Sequence, residues 1–209
     1  MKILKKLRSY ILPEAIDFFG QLTQQSEETK KIIAELRKFY IENSSTDTAY
    51  LFEFISKAKN SRKINLIQLN KVFITPVDKE AISRAYEHLH WIVLSIKHLI
   101  IEMDEFQIYR LKDYDTLLTL LYDEMDKLTE GFSMLNKKEY DEILKKTYEV
   151  IHYDNLLIKQ YAQLLVKLFE NKDMNHILKY KEILTQIKEI SKRIHICGNH
   201  LEDIVFKMN

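Results

Sequence analysis

The chain reads as an all-α protein, and three features of its sequence say so. Three glycines and two prolines in 209 residues leave little material for strand turns. Leu, Ile, Lys and Glu dominate the composition, which favours helices. Apolar residues recur at steps of three and four over long stretches, the spacing that lays one continuous stripe along a helix face.

The elements follow from these stripes. Pro13 and Glu14 open a first helix whose apolar face is Ile16, Phe19, Leu22, Ile32, Ile33, Leu36 and Phe39, ending at Asn43, Ser44 and Ser45. Its stripe is interrupted between Gln24 and Thr29. A second helix begins near Thr46 to Thr48 and runs to Phe73 through Phe52, Ile55, Ala58, Leu66 and Leu69. Thr75 and Pro76 then mark a corner. Thr75 can accept a backbone N–H, Pro76 suits a first helical position, and Asp78 favours the positive end of the helix dipole, so a third helix is expected from Pro76. Ile82, Ala85, Leu89, Ile92, Val93, Ile96, Ile100 and Met103 form its stripe, and it ends between Asp104 and Lys112.

A fourth helix carries Tyr114, Leu117, Leu121, Met125, Leu128, Phe132 and Leu135 and closes at Asn136. A fifth starts near Lys137, and its stripe from Tyr140 through Ile143, Thr147, Val150 and Ile151 to Leu168 includes an acid, Asp154, on the seam. After a turn at Glu170 to Asp173, the sixth helix has the most regular seam: Ile183, Ile187, Ile190, Ile194, Cys197, Leu201 and Ile204. Six helices with short connections predict antiparallel neighbours in two groups of three. Residues 1–106 would form one three-helix bundle with a basic N-terminal segment, and residues 107–209 the second. LNKVF at the end of the second helix is echoed by LVKLF at the end of the fifth.

Composition excludes several function classes. The 32 basic and 31 acidic side chains nearly cancel, so nothing suggests a nucleic-acid partner. Cys197 is the one cysteine, which rules out an internal disulfide, and its place on a stripe makes it a core residue. Neither a signal peptide nor a membrane span is apparent, so a cytoplasmic protein is expected, at most peripheral at the inner face of the membrane. No Gly-rich phosphate loop and no Ser or Cys nucleophile motif is visible, and the expectation is that the chain is not an enzyme. At the N-terminus, Lys2, Lys5, Lys6 and Arg8 alternate with Ile3, Leu4, Leu7 and Ile11. Such a segment either packs its apolar side on the bundle, the favoured reading, or rests on an anionic membrane or acidic partner.

LNKVFITPVDKEAI, with the helix after it, resembles the Phe-Ile-Thr-Pro corner of the PhoU-like phosphate transport regulators, the branch found beside inorganic phosphate transporters. KYKEILTQIKEISKRIHICGNHLEDIVFK, Lys179 to Lys207, is similar to the closing helix of that family, and the pattern can be laid from about Phe18 to Lys207. The resemblance implies two pseudo-symmetric three-helix bundles and a non-enzymatic regulator that contacts a phosphate transporter at the membrane. It also implies acidic pairs spaced four apart on the second and third helix of each bundle, which gather iron or zinc. In this chain those positions hold Ile55 and Lys59, His90 and Leu94, Asp154 and Ile158, and Lys188 and Lys192. Asp154 alone is acidic, and lysines would set positive charge against a cation, so degenerate sites and no cofactor are expected.

A rival metal reading uses Glu87 with His90 and Glu149 with His152, two Glu-x-x-His pairs at the spacing of di-iron bundles, joined by Asp154 and His195 and taking iron or zinc. Against it, Glu87 lies nearly opposite Leu89, and Glu149 is off the Ile151–Asp154 seam. His90, His152 and His195 flank seams and read as packed, hydrogen-bonded edge histidines; Trp91 and the 12 tyrosines read as packing residues. A structural adaptor with an unrelated partner is a further reading, and self-association into a homo-oligomer is left open.

Overall fold

A computed structural model describes residues 16–42 and 45–208. The N-terminal basic segment, the start of the first helix at Pro13 and the Asn43-Ser44 break lie outside the described residues. Among those described are six α-helices and no strand: α1 Phe18–Glu42, α2 Ala49–Lys71, α3 Lys79–Phe106, α4 Asp115–Ser133, α5 Tyr140–Phe169 and α6 Met174–Met208. Single 3-10 turns stand at Lys112–Tyr114 and Leu135–Lys137.

Several boundaries correct the sequence reading: α2 ends at Lys71 rather than Phe73, and Tyr114 and Leu135, read into the fourth helix, lie in the 3-10 turns that flank α4. Helix α3 begins at Lys79 rather than Pro76, because its cap is Asp78: a carboxylate oxygen accepts the Ala81 N–H at 2.7 Å. Thr75 and Pro76 stay in the corner, which Val72 enters with extended backbone (φ −100°, ψ 154°). A carboxylate that also pairs with Lys207 at 2.9 Å is the stronger competitor for the cap. Helix α5 likewise starts at Tyr140, after the Leu135–Lys137 turn and a left-handed Lys138 (φ 58°) take the residues assigned to its first turn.

Helices α1, α2 and α3 form one bundle and α4, α5 and α6 the other, with α2 against α1 and α3, and α5 against α4 and α6. The bundles join where α1 meets α4 and α3 meets α6. Both pairs are antiparallel. Asn136, just after α4, donates to Asp17 at the head of α1, while the Leu111 N–H, ahead of α4, bonds the Tyr40 carbonyl near the end of α1. Along α3 and α6, Asp78 meets Lys207, Ala81 meets His200 and Glu102 meets Gln186. The apolar stripes close into a single continuous core across both bundles.

The interruption in the first stripe has a physical account. Gln25, Ser26 and Thr29 are buried with their donors satisfied: Gln25 Nε2 donates to the Tyr86 carbonyl at 2.9 Å, Thr29 to the Gln25 carbonyl and Ser26 to the Thr23 carbonyl. A buried polar group is tolerated on those terms. No helix among the described residues is long and apolar enough to cross a membrane.

Candidate functional site

A buried cluster of ionisable side chains lies in the second bundle, where α4, α5 and α6 each contribute to one chain of hydrogen bonds. Glu124 of α4 has no exposure and Asp154 of α5 is 6% exposed. Ser191 of α6 sits between them, its Oγ 2.6 Å from Glu124 Oε2 and 2.9 Å from Asp154 Oδ1. His195, one turn along α6, places Nδ1 2.8 Å from Asp154 Oδ2 and leaves its ring about a third exposed, at 30%.

Counting protons fixes the state of this chain. A hydroxyl has one hydrogen and cannot donate to two carboxylates. One carboxyl group must therefore donate to Ser191, and Glu124 is the one. Burial, the largest cause, pushes its carboxyl well above the usual range and the Asp154 charge adds to the rise; a Ser191 hydroxyl donating to it would pull the other way, and here the hydroxyl is spent on Asp154. Its second oxygen, Oε1, has no partner among the described residues, which further disfavours a charge there. The order is then Glu124 carboxyl to Ser191 hydroxyl to Asp154 carboxylate, with the His195 Nδ1–H serving the other Asp154 oxygen. Such a cluster holds one proton inside the bundle and presents an imidazole at its rim.

Asp154 is thus the seam acid the sequence singled out, while Glu124 was missed. The signal was available: Leu117, Leu121, Glu124 and Leu128 step by four, three and four, so Glu124 takes a seam position next to Met125, which was read in its place.

The remaining candidates do not converge. Glu87 pairs with Arg62 of α2 across a very short contact, and His90, buried beside it, has its imidazole shifted down by burial and by the Arg62 and Lys59 charges. Glu149 pairs with Lys146 of its own helix at 3.1 Å, and His152 is exposed against Tyr153. Both Glu-x-x-His glutamates are held by cations, and no group of three His, Cys, Asp or Glu is placed to hold a metal among the described residues. The positions where the resemblance implies metal ligands do not fit a metal either. Lys188 lies 4.6 Å over the Tyr161 ring, Lys192 and Lys59 are exposed, Ile158 is 45% exposed, and Asp154 is committed to Ser191 and His195. Trp91 is half-exposed and stacks with the Arg193 guanidinium at 5.1 Å.

No protein-family model matches the chain. Over 189 residues it is 23% identical to the UPF0111 protein YkaA of Bacillus subtilis (strain 168), covering 86% of this chain and 92% of that protein. Its structure is similar to the crystal structure of a PhoU-like protein from Shewanella oneidensis MR-1, with TM-score 0.79 at 13% identity, covering 90% of this chain and 99% of that one. A second crystal structure, of a proposed PhoU-like phosphate regulatory protein from the same organism, gives TM-score 0.76 at 13% identity, covering 91% and 99%. The chain therefore has the PhoU-like all-α fold, two three-helix bundles related by pseudo-symmetry.

Proposed function

We propose that this protein is a non-enzymatic regulator of inorganic phosphate transport, acting by contact with a phosphate transporter at the cytoplasmic face of the membrane. One observation carries the reading: 91% of the chain matches the fold of a protein whose name assigns it to phosphate regulation, with 99% of that chain covered. The Phe73-Ile74-Thr75-Pro76 corner that resembles the transporter-linked branch supports it.

The residues support a binding role over a catalytic one. Three of the acids the sequence or the fold singles out are held by neighbours or sealed in the core: Glu87 by Arg62, Glu149 by Lys146, and Glu124 by burial. Cys197 is fully buried, and burial pushes its thiol far up, away from the reactive thiolate. Affinity purification of the full chain from native membranes, read by mass spectrometry against a mock purification, tests the partner. Enrichment of an inorganic phosphate transporter is expected. Reproducible enrichment of an unrelated protein with no phosphate transporter would overturn the reading in favour of an adaptor with another partner.

A further inference from the structure

The corner between α2 and α3 carries the most open apolar side chains among the described residues. Phe73 is 100% exposed and Ile74 is 90% exposed, whereas the next, Val166 and Met174, stand at 64%. They project beside a groove of about 750 Å³ whose apolar lining includes Phe18, Phe19 and Leu135. Large apolar groups left fully in water at a tip mark a surface that buries them elsewhere.

The charge around the tip says what kind of surface. Lys71 and Lys138 line the same groove and Lys137 adjoins it in the 3-10 turn; none of the three is in an ion pair among the described residues. Asp17, an acid in the lining, accepts from the Gly20 N–H at 2.8 Å and from Asn136 Nδ2 at 3.0 Å, both neutral donors, so its negative charge remains and is outnumbered by the three lysines. Ile16 is at the rim. The pseudo-equivalent corner between α5 and α6 is different. Its Phe169 is 55% exposed, Glu170 and Asp173 flank Lys172 beside it, and the nearby groove, of about 360 Å³, includes Asp113 and His176 with Lys167, so acids and lysines are mixed there.

We propose that the α2–α3 corner is a docking tip for an anionic lipid bilayer: Phe73 and Ile74 enter the interface while Lys71, Lys137 and Lys138 meet the headgroup phosphates. Two apolar side chains in a basic ring match what a peripheral protein needs, hydrophobic insertion plus electrostatic attraction. They are too little area to anchor a protein partner, for which a stable interface takes roughly 800 Å² per side. The phosphate reading is independent of this one, since lipid binding is measured without any transporter.

Flotation of the full chain with protein-free vesicles tests the tip. Binding is expected with phosphatidylcholine–phosphatidylglycerol vesicles and not with phosphatidylcholine alone. A Phe73→Ser, Ile74→Ser double variant should lose about tenfold or more in affinity, from the apolar area withdrawn. Lys71→Glu and Lys138→Glu should each lose about fivefold or more. Phe169→Ser at the other corner should bind as the parent does. Because both tip side chains are exposed, the double variant keeps its unfolding temperature, which excludes misfolding as the cause. A Phe73→Trp variant in a Trp91→Phe background reports insertion directly, its emission shifting to the blue on the anionic vesicles. No binding to anionic vesicles, binding indifferent to the double substitution, or binding only to membranes that retain their proteins would each overturn the proposal.

Discussion

At the scale of single residues, Glu124 keeps its proton in the folded chain because it has no exposure and faces a second carboxylate across one hydroxyl. The consequence for stability has a definite sign. The unfolded carboxyl titrates near the ordinary value of 4.5 and the folded one well above it, so between those two points the folded state binds the extra proton. Stability from this group is fully present below the unfolded value and is lost as pH rises toward the folded one. Urea unfolding of the parent chain from pH 4 to pH 8 should therefore contain a declining component that Glu124→Gln removes, since an amide can donate to Ser191 as the neutral acid does. A parent and variant with parallel pH profiles would refute the protonated state. Asp154→Ala is expected to destabilise by about 2 kcal/mol, because Ser191 and His195 each lose a buried or half-buried acceptor. Chemical denaturation at pH 7 measures it, and a change near zero would mean the chain of bonds contributes nothing net.

At the scale of helices, ends were less legible than faces. Ile82, Leu89, Ile92, Val93, Ile96, Ile100 and Met103, placed on one stripe by spacing alone, are all buried in α3. The start of that helix was not decided by local spacing, since Thr75, Pro76 and Asp78 all favour a helix N-terminus. Asp78 holds the cap through its own bond to the Ala81 N–H, a local preference of Asp over Thr, and the half-exposed pair with Lys207, 129 positions away, adds a contact that local spacing does not show. The choice is testable: Asp78→Ala should destabilise by about 1 kcal/mol, and Thr75→Ala by less than about 0.5 kcal/mol. Thermal unfolding of the two variants separates them, and equal losses would restore Thr75 as a cap. Since Lys207 and then the Ala81 N–H hold the Asp78 carboxyl below its usual range, its contribution is present above the unfolded carboxylate value and lost as pH falls through the folded one. Gln25 shows the other limit of periodicity. A glutamine breaks an apolar stripe in the sequence, yet it is core in the fold, because its amide finds the Tyr86 carbonyl on another helix.

At the scale of the molecule, the two bundles repeat one order of helices with different side chains. Helices α1 and α4, α2 and α5, and α3 and α6 are counterparts, and the echo of LNKVF in LVKLF falls at the ends of α2 and α5. The positions where the resemblance places metal ligands hold apolar side chains, lysines, the buried His90 and one acid engaged in hydrogen bonds. Elemental analysis of untagged protein is accordingly expected to find iron and zinc below stoichiometry, unchanged by Glu87→Ala or His152→Ala. Two bound metal ions per chain, released by either substitution, would reinstate the Glu-x-x-His reading. The candidate site was half legible: Asp154 stood out as an acid on an apolar seam, whereas Glu124 was hidden beside Met125 and Ser191 beside Ile190, where an adjacent apolar residue satisfied the pattern. The central claim is that the protein regulates phosphate transport. Its most direct test is the initial rate of labelled inorganic phosphate uptake by cells with the chain deleted and then restored. The account predicts a changed rate on deletion that returns on restoration and vanishes when the transporter is also absent; an unchanged rate across phosphate-replete and phosphate-starved cells would contradict it.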